Sequence, residues 1–508
     1  VGRIRVLAIV VAALAGGAVL LSGGSEADPS TPAAAPGQPT PFLGTAVVGS
    51  GGLTAAVDAY GDIVDLRLPG PAGEAQISIP FERQAAGSVA ADSGIVPAVG
   101  VGPGEPLPLW RGTGQRQSYL PGTNLLRTSA TVAGARVRIT DAAGYPSPEL
   151  ARTIAVSAHP HRPLRLRLGV NLDLAGDAAG DELVPTERGF AQSDGRRARC
   201  TASPRPDHLR RSEDGDAAAD LLWSGRGSLR VGLSCSFEST AGADPLAAAV
   251  RDRRWSARAR SLGATAPGWA RRMYARSLLV LRALQDRRSG AVAAGARDGW
   301  AYVWPRDAGA AVLALAAAGY PAEAGRGARF LLGLDLGAAA RFHGDGSPLT
   351  DGRELPGDSA GWVRAAALAA GLGRGAPASE AWRGRGDYGE RAGDSGDYLA
   401  NAIAAGVPAH RIERLFATRA GLVRRAGDPG SGLDTAAAWA VRPFARPPLF
   451  GAVGRTLRRL AKAGDRFGIA PSADWPHDEA WSAPTAWSAW SLAALGDRRG
   501  ALHLLRML

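Results

Sequence analysis

Two hydrophobic periods divide the chain. From about residue 42 to 262, short apolar runs alternate with polar residues and are broken by Gly, Asp and Pro: Ala56 to Leu68, Leu126 to Thr140, Leu164 to Leu174 and Ser228 to Phe237. A period of two with frequent turn residues suits strands that bury every second side chain, and it predicts an antiparallel β-sandwich over 42–262. After Ala266-Pro267-Gly268 the spacing becomes helical. Candidate helices are Trp269 to Asp286, Ala308 to Gly319, Ala322 to Leu334, Ser359 to Leu372, Asp397 to Ala405, His410 to Arg424, Leu433 to Ala440, Gly451 to Ala463, Thr485 to Leu495 and Arg498 to Leu508. Helical hairpins alternating between an inner and an outer ring predict an (α/α) toroid over 268–508. The fold class expected is therefore α+β with two domains, a sandwich followed by a toroid.

The N-terminus follows neither period. Arg3 and Arg5 precede an uncharged run, Val6 to Leu21, that is longer than an ordinary signal core and shorter than a comfortable membrane span. Residues 1–21 therefore read as a signal peptide or as a membrane anchor, with both open, and no cysteine follows to carry a lipid. Residues 22–41 are rich in Ser, Gly, Pro and Ala and read as a flexible linker. The protein is expected outside the cell or on its surface, attached through residues 6–21 if that segment is retained.

Composition narrows the partners. With 508 residues, 45% apolar and 21% charged, the chain is globular with room for a sizeable core. A net charge of +12 would ordinarily suggest nucleic acid. The basic residues are scattered, however, and Lys462 is the only lysine, so the charge forms no designed anion-binding face and nucleic acid is not expected. No zinc-ligand spacing and no phosphate-binding Gly loop ending in Lys-Ser/Thr occurs, so neither metal nor cofactor is expected. Cys200 and Cys235 fall on candidate strands; in an exported protein they read as one structural disulfide, with two buried thiols as the alternative.

The chemistry concentrates in Asp298-Gly-Trp-Ala-Tyr-Val-Trp-Pro-Arg-Asp307, ahead of the apolar run Ala308 to Gly319. Pro305 cannot lie inside a helix and Asp307 is a good N-cap, so Arg306 and Asp307 are expected at a helix mouth. Planar rings beside a guanidinium and a carboxylate suit a sugar, whose C–H face stacks while its hydroxyls exchange hydrogen bonds. A buried aromatic cluster with a structural Arg-Asp pair explains the same residues.

Tyr302-Val-Trp-Pro-Arg-Asp307 and Gly319-Tyr-Pro-Ala-Glu-Ala324 resemble the corresponding block of glycoside hydrolase family 15, the glucoamylase, glucodextranase and bacterial trehalase group. Gly49 to Pro71 and Gln115 to Asp141, with Tyr119-Leu-Pro-Gly-Thr-Asn124, resemble the N-terminal domain of its bacterial members. The resemblance implies a β-sandwich joined to a barrel of six helix pairs. About five pairs are legible here, and the toroid is expected to lack its last pair. It also implies that Arg306 and Asp307 bind the terminal glucose, between walls made by Trp300, Tyr302 and Trp304.

Inversion at a glycosidic carbon needs a protonated carboxyl at the leaving oxygen and an ionised one activating water, roughly 6.5–9.5 Å apart. Asp387-Tyr-Gly-Glu390-Arg391 resembles the family's acid segment and implies Glu390 as general acid, although Gly389 stands where the family usually has Trp. As residues alone, Asp387, Glu390, Arg391, Asp394 and Asp397 read as one solvated charged run. Asp358-Ser-Ala-Gly-Trp362 resembles a further sugar-site segment, implying Asp358 at the sugar and Trp362 packed below it; a plain N-cap role for Asp358 remains open. Trp475 and Trp481 sit on loop stretches and read as a rim for further sugar units, whereas Trp487 and Trp490, three apart on a helix, read as core. The family's base lies in a Pro-Glu-Gln-like loop that is not found here; Asp474, Asp478 and Glu479 are the nearby carboxylates.

The expectation is a monomeric, exported, inverting α-glucoside hydrolase releasing glucose from the non-reducing end of α-glucans or from trehalose. The alternative is a surface glycan-binding relic without a general base. A lyase or phosphorylase-like protein on the same architecture is a third reading.

Overall fold

The computed structural model describes residues 39–79, 94–144, 147–174, 182–194, 196–211, 218–237, 245–263, 265–373, 381–389, 394–464, 467–473, 475 and 480–508. Residues 1–38, expected to hold the leader and most of the linker, lie outside the described set, as do Glu390, Asp474, Asp478 and Glu479. Among the described residues no helix is long and apolar enough to cross a membrane.

Strands run from Gly44–Gly49 to Ser228–Phe237 and pair antiparallel throughout. Glu149–Ser157 lies between Ala135–Ala143 and Ser228–Phe237, and Pro163–Asn171 lies between Gly94–Val101 and Ala218–Arg226. The period of two does what it implies. In Pro163–Asn171, Leu164, Leu166, Leu168 and Val170 turn into a core shared with Ile139, Ile154, Trp223 and Val231, while Pro163 and Arg167 face outward. The apolar run Leu126 to Thr140 is a hairpin, Leu126–Val132 returning as Ala135–Ala143 through Ala133 and Gly134. Cys200 stands directly opposite Cys235 on adjacent strands, and the two form a disulfide with Cα atoms 4.0 Å apart.

The helices are α1 (Pro245–Ser256), α2 (Gly268–Leu284), α3 (Pro305–Ala318), α4 (Pro321–Leu332), α5 (Ser359–Ala369), α6 (Leu399–Ala405), α7 (Ala409–Phe416), α8 (Phe450–Ala463), α9 (Ser482–Ala494) and α10 (Arg498–Leu505), with a 3-10 turn at Thr435–Ala440. α1 falls inside the stretch expected to be all β: its Leu-Ala-Ala-Ala-Val run is too short to show a helical period. The helix expected to reach Arg424 stops at Phe416, because Gly421 takes φ 149° and the chain then pairs as Val423–Arg425 with Asp428–Leu433. Small residues let the inner helices touch: a Cβ on Gly309 would lie 3.1 Å from the Trp362 carbonyl, and one on Gly361 would lie 2.4 Å from the Ala404 carbonyl. Trp487 and Trp490 are buried in the resulting core.

The sandwich docks on α2 by polar contacts to backbone. Thr54 Oγ1 donates to the Ala283 carbonyl at 3.0 Å, Asn124 Nδ2 to the Leu279 carbonyl at 2.9 Å, and Arg276 Nη1 to the Thr123 carbonyl at 2.7 Å. The Tyr119 to Asn124 segment is thus the seam between the two parts, with the Arg276 guanidinium 3.8 Å from the Tyr119 ring centre.

Replacing Cys200 and Cys235 together by Ala should lower the unfolding free energy by about 2–4 kcal/mol, given the 35-residue separation. Urea titration without reductant reads this; an unchanged midpoint would show that the strand pairing holds this corner without the cross-link.

Candidate active site

The N-terminal ends of the inner helices are tied into one rim by isolated backbone bridges. Val303, just before α3, pairs with Phe342; Pro356, before α5, pairs with Gly386; Tyr398, the cap of α6, pairs with Arg425; Asp434, the cap of the 3-10 turn, pairs with Ser472; and Ile469 pairs with Trp481, the cap of α9. Each bridge ties the start of a helical segment to another stretch of chain, and a helix start carries unpaired N–H groups.

At α3, Trp304 is the cap and Pro305 takes the first helical position, so Asp307 sits in the first turn and not at the N-cap. The proline fixes this, since its missing N–H is harmless only there. Arg306 is buried and bridges two carboxylates, its Nη2 reaching Asp307 at 3.3 Å and its Nη1 reaching Asp358 at 3.4 Å. Asp358 is fully buried at the start of α5 and makes no side-chain capping bond, so the plain N-cap explanation fails and its carboxylate serves the guanidinium. Tyr302 and Trp304 meet edge to face at 6.3 Å, and Arg341 lies against both, 4.4 Å from the first ring centre and 5.1 Å from the second. His343 closes on Tyr302 at 5.5 Å. Trp300 stands half-buried under Arg297, 4.6 Å from its ring. The sandwich contributes as well: Arg67, held by Asp65 at 2.9 Å, lies 3.6 Å from Asp298 and 5.7 Å from the Tyr302 ring centre.

Trp362 is buried, touching Trp439 at 5.2 Å, Phe444 at 5.5 Å and Trp487 at 6.4 Å. It is floor and not contact surface. Trp475 and Trp481 meet edge to face at 5.0 Å, and both are partly exposed. Trp475 also fills the space beside Gly389: a Cβ added there would come 3.0 Å from its ring. An indole from elsewhere in the chain thus stands beside the position where the resemblance leads one to expect Trp.

Sequence reading missed a buried charged centre. Asp387 is fully buried, not solvated; it accepts from Arg424 Nε at 2.8 Å, and Arg424 Nη2 reaches Asp394 at 2.9 Å. Asp394 also accepts from Arg425 and from the Tyr398 hydroxyl. Burial pushes the Asp387 carboxyl up and the Arg424 charge pulls it back. Asp434, also fully buried, accepts from the Tyr388 hydroxyl at 3.0 Å and from Ala436 N at 2.8 Å. Burial and the neighbouring Asp387 charge push Asp434 up to about 7. The Pro471 carbonyl lies 2.8 Å from the same Tyr388 hydroxyl and shares its one proton with Asp434, and burial drives that hydroxyl well above the usual tyrosine range. The available signal was the Arg424-Arg425 pair, which the expected helix His410 to Arg424 took in.

Glu390, expected as the acid, lies outside the described residues; its neighbours Asp387, Tyr388 and Gly389 bring the chain to this rim. Among the described residues no group of three or more His, Cys, Asp or Glu is placed to hold a metal ion.

An antiparallel, sandwich-like β-part followed by a helical part defines the architectural class. No family model matches the chain, and no curated protein matches it. Among solved structures it is similar to a bacterial glucoamylase complexed with acarbose, at 12% identity and a TM-score of 0.58, over 95% of this chain and 97% of that one. The two share a fold. Weaker likenesses are a glycosidase (22% identity, TM-score 0.37, 45% of this chain and 79% of that one) and a putative kojibiose phosphorylase from human microbiome (6%, 0.40, 65% and 53%).

Two measurements test the buried centre. Arg424→Met leaves Asp387 uncompensated and should cost about 3–5 kcal/mol of stability by denaturant unfolding. For Asp434, the unfolded carboxyl ionises near pH 4 and the folded one near 7, so between those values the folded state binds more protons. Its contribution therefore favours folding at low pH and is lost as pH rises through that window, by on the order of 1.4 kcal/mol per unit. Asp434→Asn should flatten this slope in thermal melts from pH 4 to 8; an unaltered slope would assign the proton elsewhere.

Proposed function

We propose that the protein is an exported, monomeric inverting glycoside hydrolase that takes glucose from the non-reducing end of α-glucans or from trehalose, on an (α/α) toroid of about five helix pairs. The observation that carries this is Arg306, fixed between Asp307 and Asp358 at the foot of an aromatic wall formed by Tyr302 and Trp304. A guanidinium held by two carboxylates keeps its orientation, and the partly exposed Asp307 is left to accept from sugar hydroxyls. The glucoamylase fold over nearly the whole chain agrees with this reading.

In this mechanism Trp300, Tyr302 and Trp304 stack the terminal ring, Arg306 and Asp307 bind its hydroxyls, and Trp475 and Trp481 receive the next units. Glu390 protonates the leaving oxygen. Glu390 follows Asp387 by three residues in the chain, and burial or a neighbouring negative charge is what would keep its proton on near neutrality. A second carboxylate, not assigned to any residue here, would activate water.

The second reading is a glycan-binding relic without turnover. It is favoured by the state of the described carboxylates: Asp387, Asp358 and Asp434 are buried and engaged, so none of these three is placed to activate water.

Glucose release from maltooligosaccharides and trehalose separates the readings. Glu390→Gln should lower kcat by about 10²–10⁴-fold with KM little changed. Equal rates for the variant and the parent would remove Glu390 from the mechanism; sugar-dependent Trp quenching without turnover in the parent would favour the relic.

A further inference from the structure

A cavity lined by none of the rim residues opens where α1, α2 and α4 meet. It measures about 300 Å³, and four of its lining residues are arginines: Arg258, Arg282, Arg287 and Arg326. Glu323 is the one lining carboxylate, and it is already engaged, accepting from Trp255 Nε1 at 2.9 Å and from Arg258 at 3.2 Å. Behind the cavity Asp252 approaches Arg282 at 3.4 Å. Positive charge therefore exceeds negative charge in a confined space.

The hydrogen-bond geometry points the same way. The Arg282 side chain is 94% buried, lying 6% exposed, and its Nε has no acceptor; the Nε of Arg326 is likewise buried without one. Guanidinium donors withdrawn from water without acceptors are costly, and a bound oxyanion would satisfy several at once. Burial, followed by the adjacent Arg287 charge, pushes Arg282 down to about 10, against the pull of Asp252. The floor is rigid: Trp255 stacks on Tyr320 at 4.1 Å, and Arg282 lies 5.1 Å from the Trp255 ring centre.

We infer that this cavity is a binding site for a tetrahedral oxyanion of the phosphate or sulfate class, free or carried as an ester on a small molecule. The anion would accept from Arg282 and Arg326 while Arg258 and Arg287 close the rim of the cavity. Because its walls come from α1, α2 and α4, the ligand would pin α1, which follows the last sandwich strand, onto the helical part. The inference is independent of the glycosidase reading, since it uses neither the sugar site nor turnover.

The test uses the full chain, titrated with inorganic phosphate, sulfate or glucose 6-phosphate and followed by calorimetry and by thermal melts, with sodium chloride at matched ionic strength. A saturable heat with one site per chain and a melting temperature rising with the logarithm of anion concentration are expected. Arg326→Gln should weaken binding about tenfold, as loss of a charge-assisted contact does, and Arg287→Gln should weaken it in the same direction. Arg498→Gln removes an equal charge from α10 and should leave binding unchanged. Tighter binding of the ester than of inorganic phosphate identifies a phosphorylated small molecule as the ligand, and equal binding identifies the anion alone. An equal rise with chloride, wild-type affinity in both Arg326→Gln and Arg287→Gln, or equal weakening by Arg498→Gln would overturn the assignment.

Discussion

The pair formed by Arg424 and Asp387 is the constraint on which the rim depends. Both side chains are 2% exposed, and two charges so deep are tolerated only when each satisfies the other. The pair joins the strand Arg385–Gly386 to the hairpin around Val423–Arg425, segments 37 residues apart in the chain. Asp394 and Asp434 extend the same network to the caps of α6 and of the 3-10 turn through Tyr398 and Ala436. Loosening one guanidinium would thus release three of the segments that define the site.

The sandwich does more than precede the helices. Arg67 and the carbonyl of Ala72 reach the loops that hold Tyr302 and His343, the latter through a 2.7 Å bond from Gly344 N. An aromatic wall made of loop residues is only as precise as its support. Here that support comes from a β-strand whose neighbours bury both faces, which explains why the helical part and the sandwich share such an extensive polar seam.

Gly389 and Trp475 show how a local departure is absorbed. Gly389 leaves room beside the backbone, and an indole from a segment 86 residues later occupies it. The same kind of ring is supplied from another part of the chain, so the gap in the sequence motif does not become a void.

Periodicity alone determined much of this protein. The alternation in Pro163–Asn171 and the spacing in Gly268–Leu284 each admit one way of hiding apolar surface, so strands and then helices were legible without contacts. Pro305 marked the neighbourhood of the α3 start, but the cap expected at Asp307 lies three residues earlier, at Trp304. What the tertiary structure alone decided is which charges are structural. Asp387 and Asp394 lie in one charged run, yet the first is buried under Arg424 and the second remains partly exposed, because burial is set by what packs from elsewhere in the chain. The partner of Arg306, the ring beside Gly389 and the guanidiniums gathered between α1, α2 and α4 are all meetings of residues distant in sequence, and no local pattern encodes a meeting.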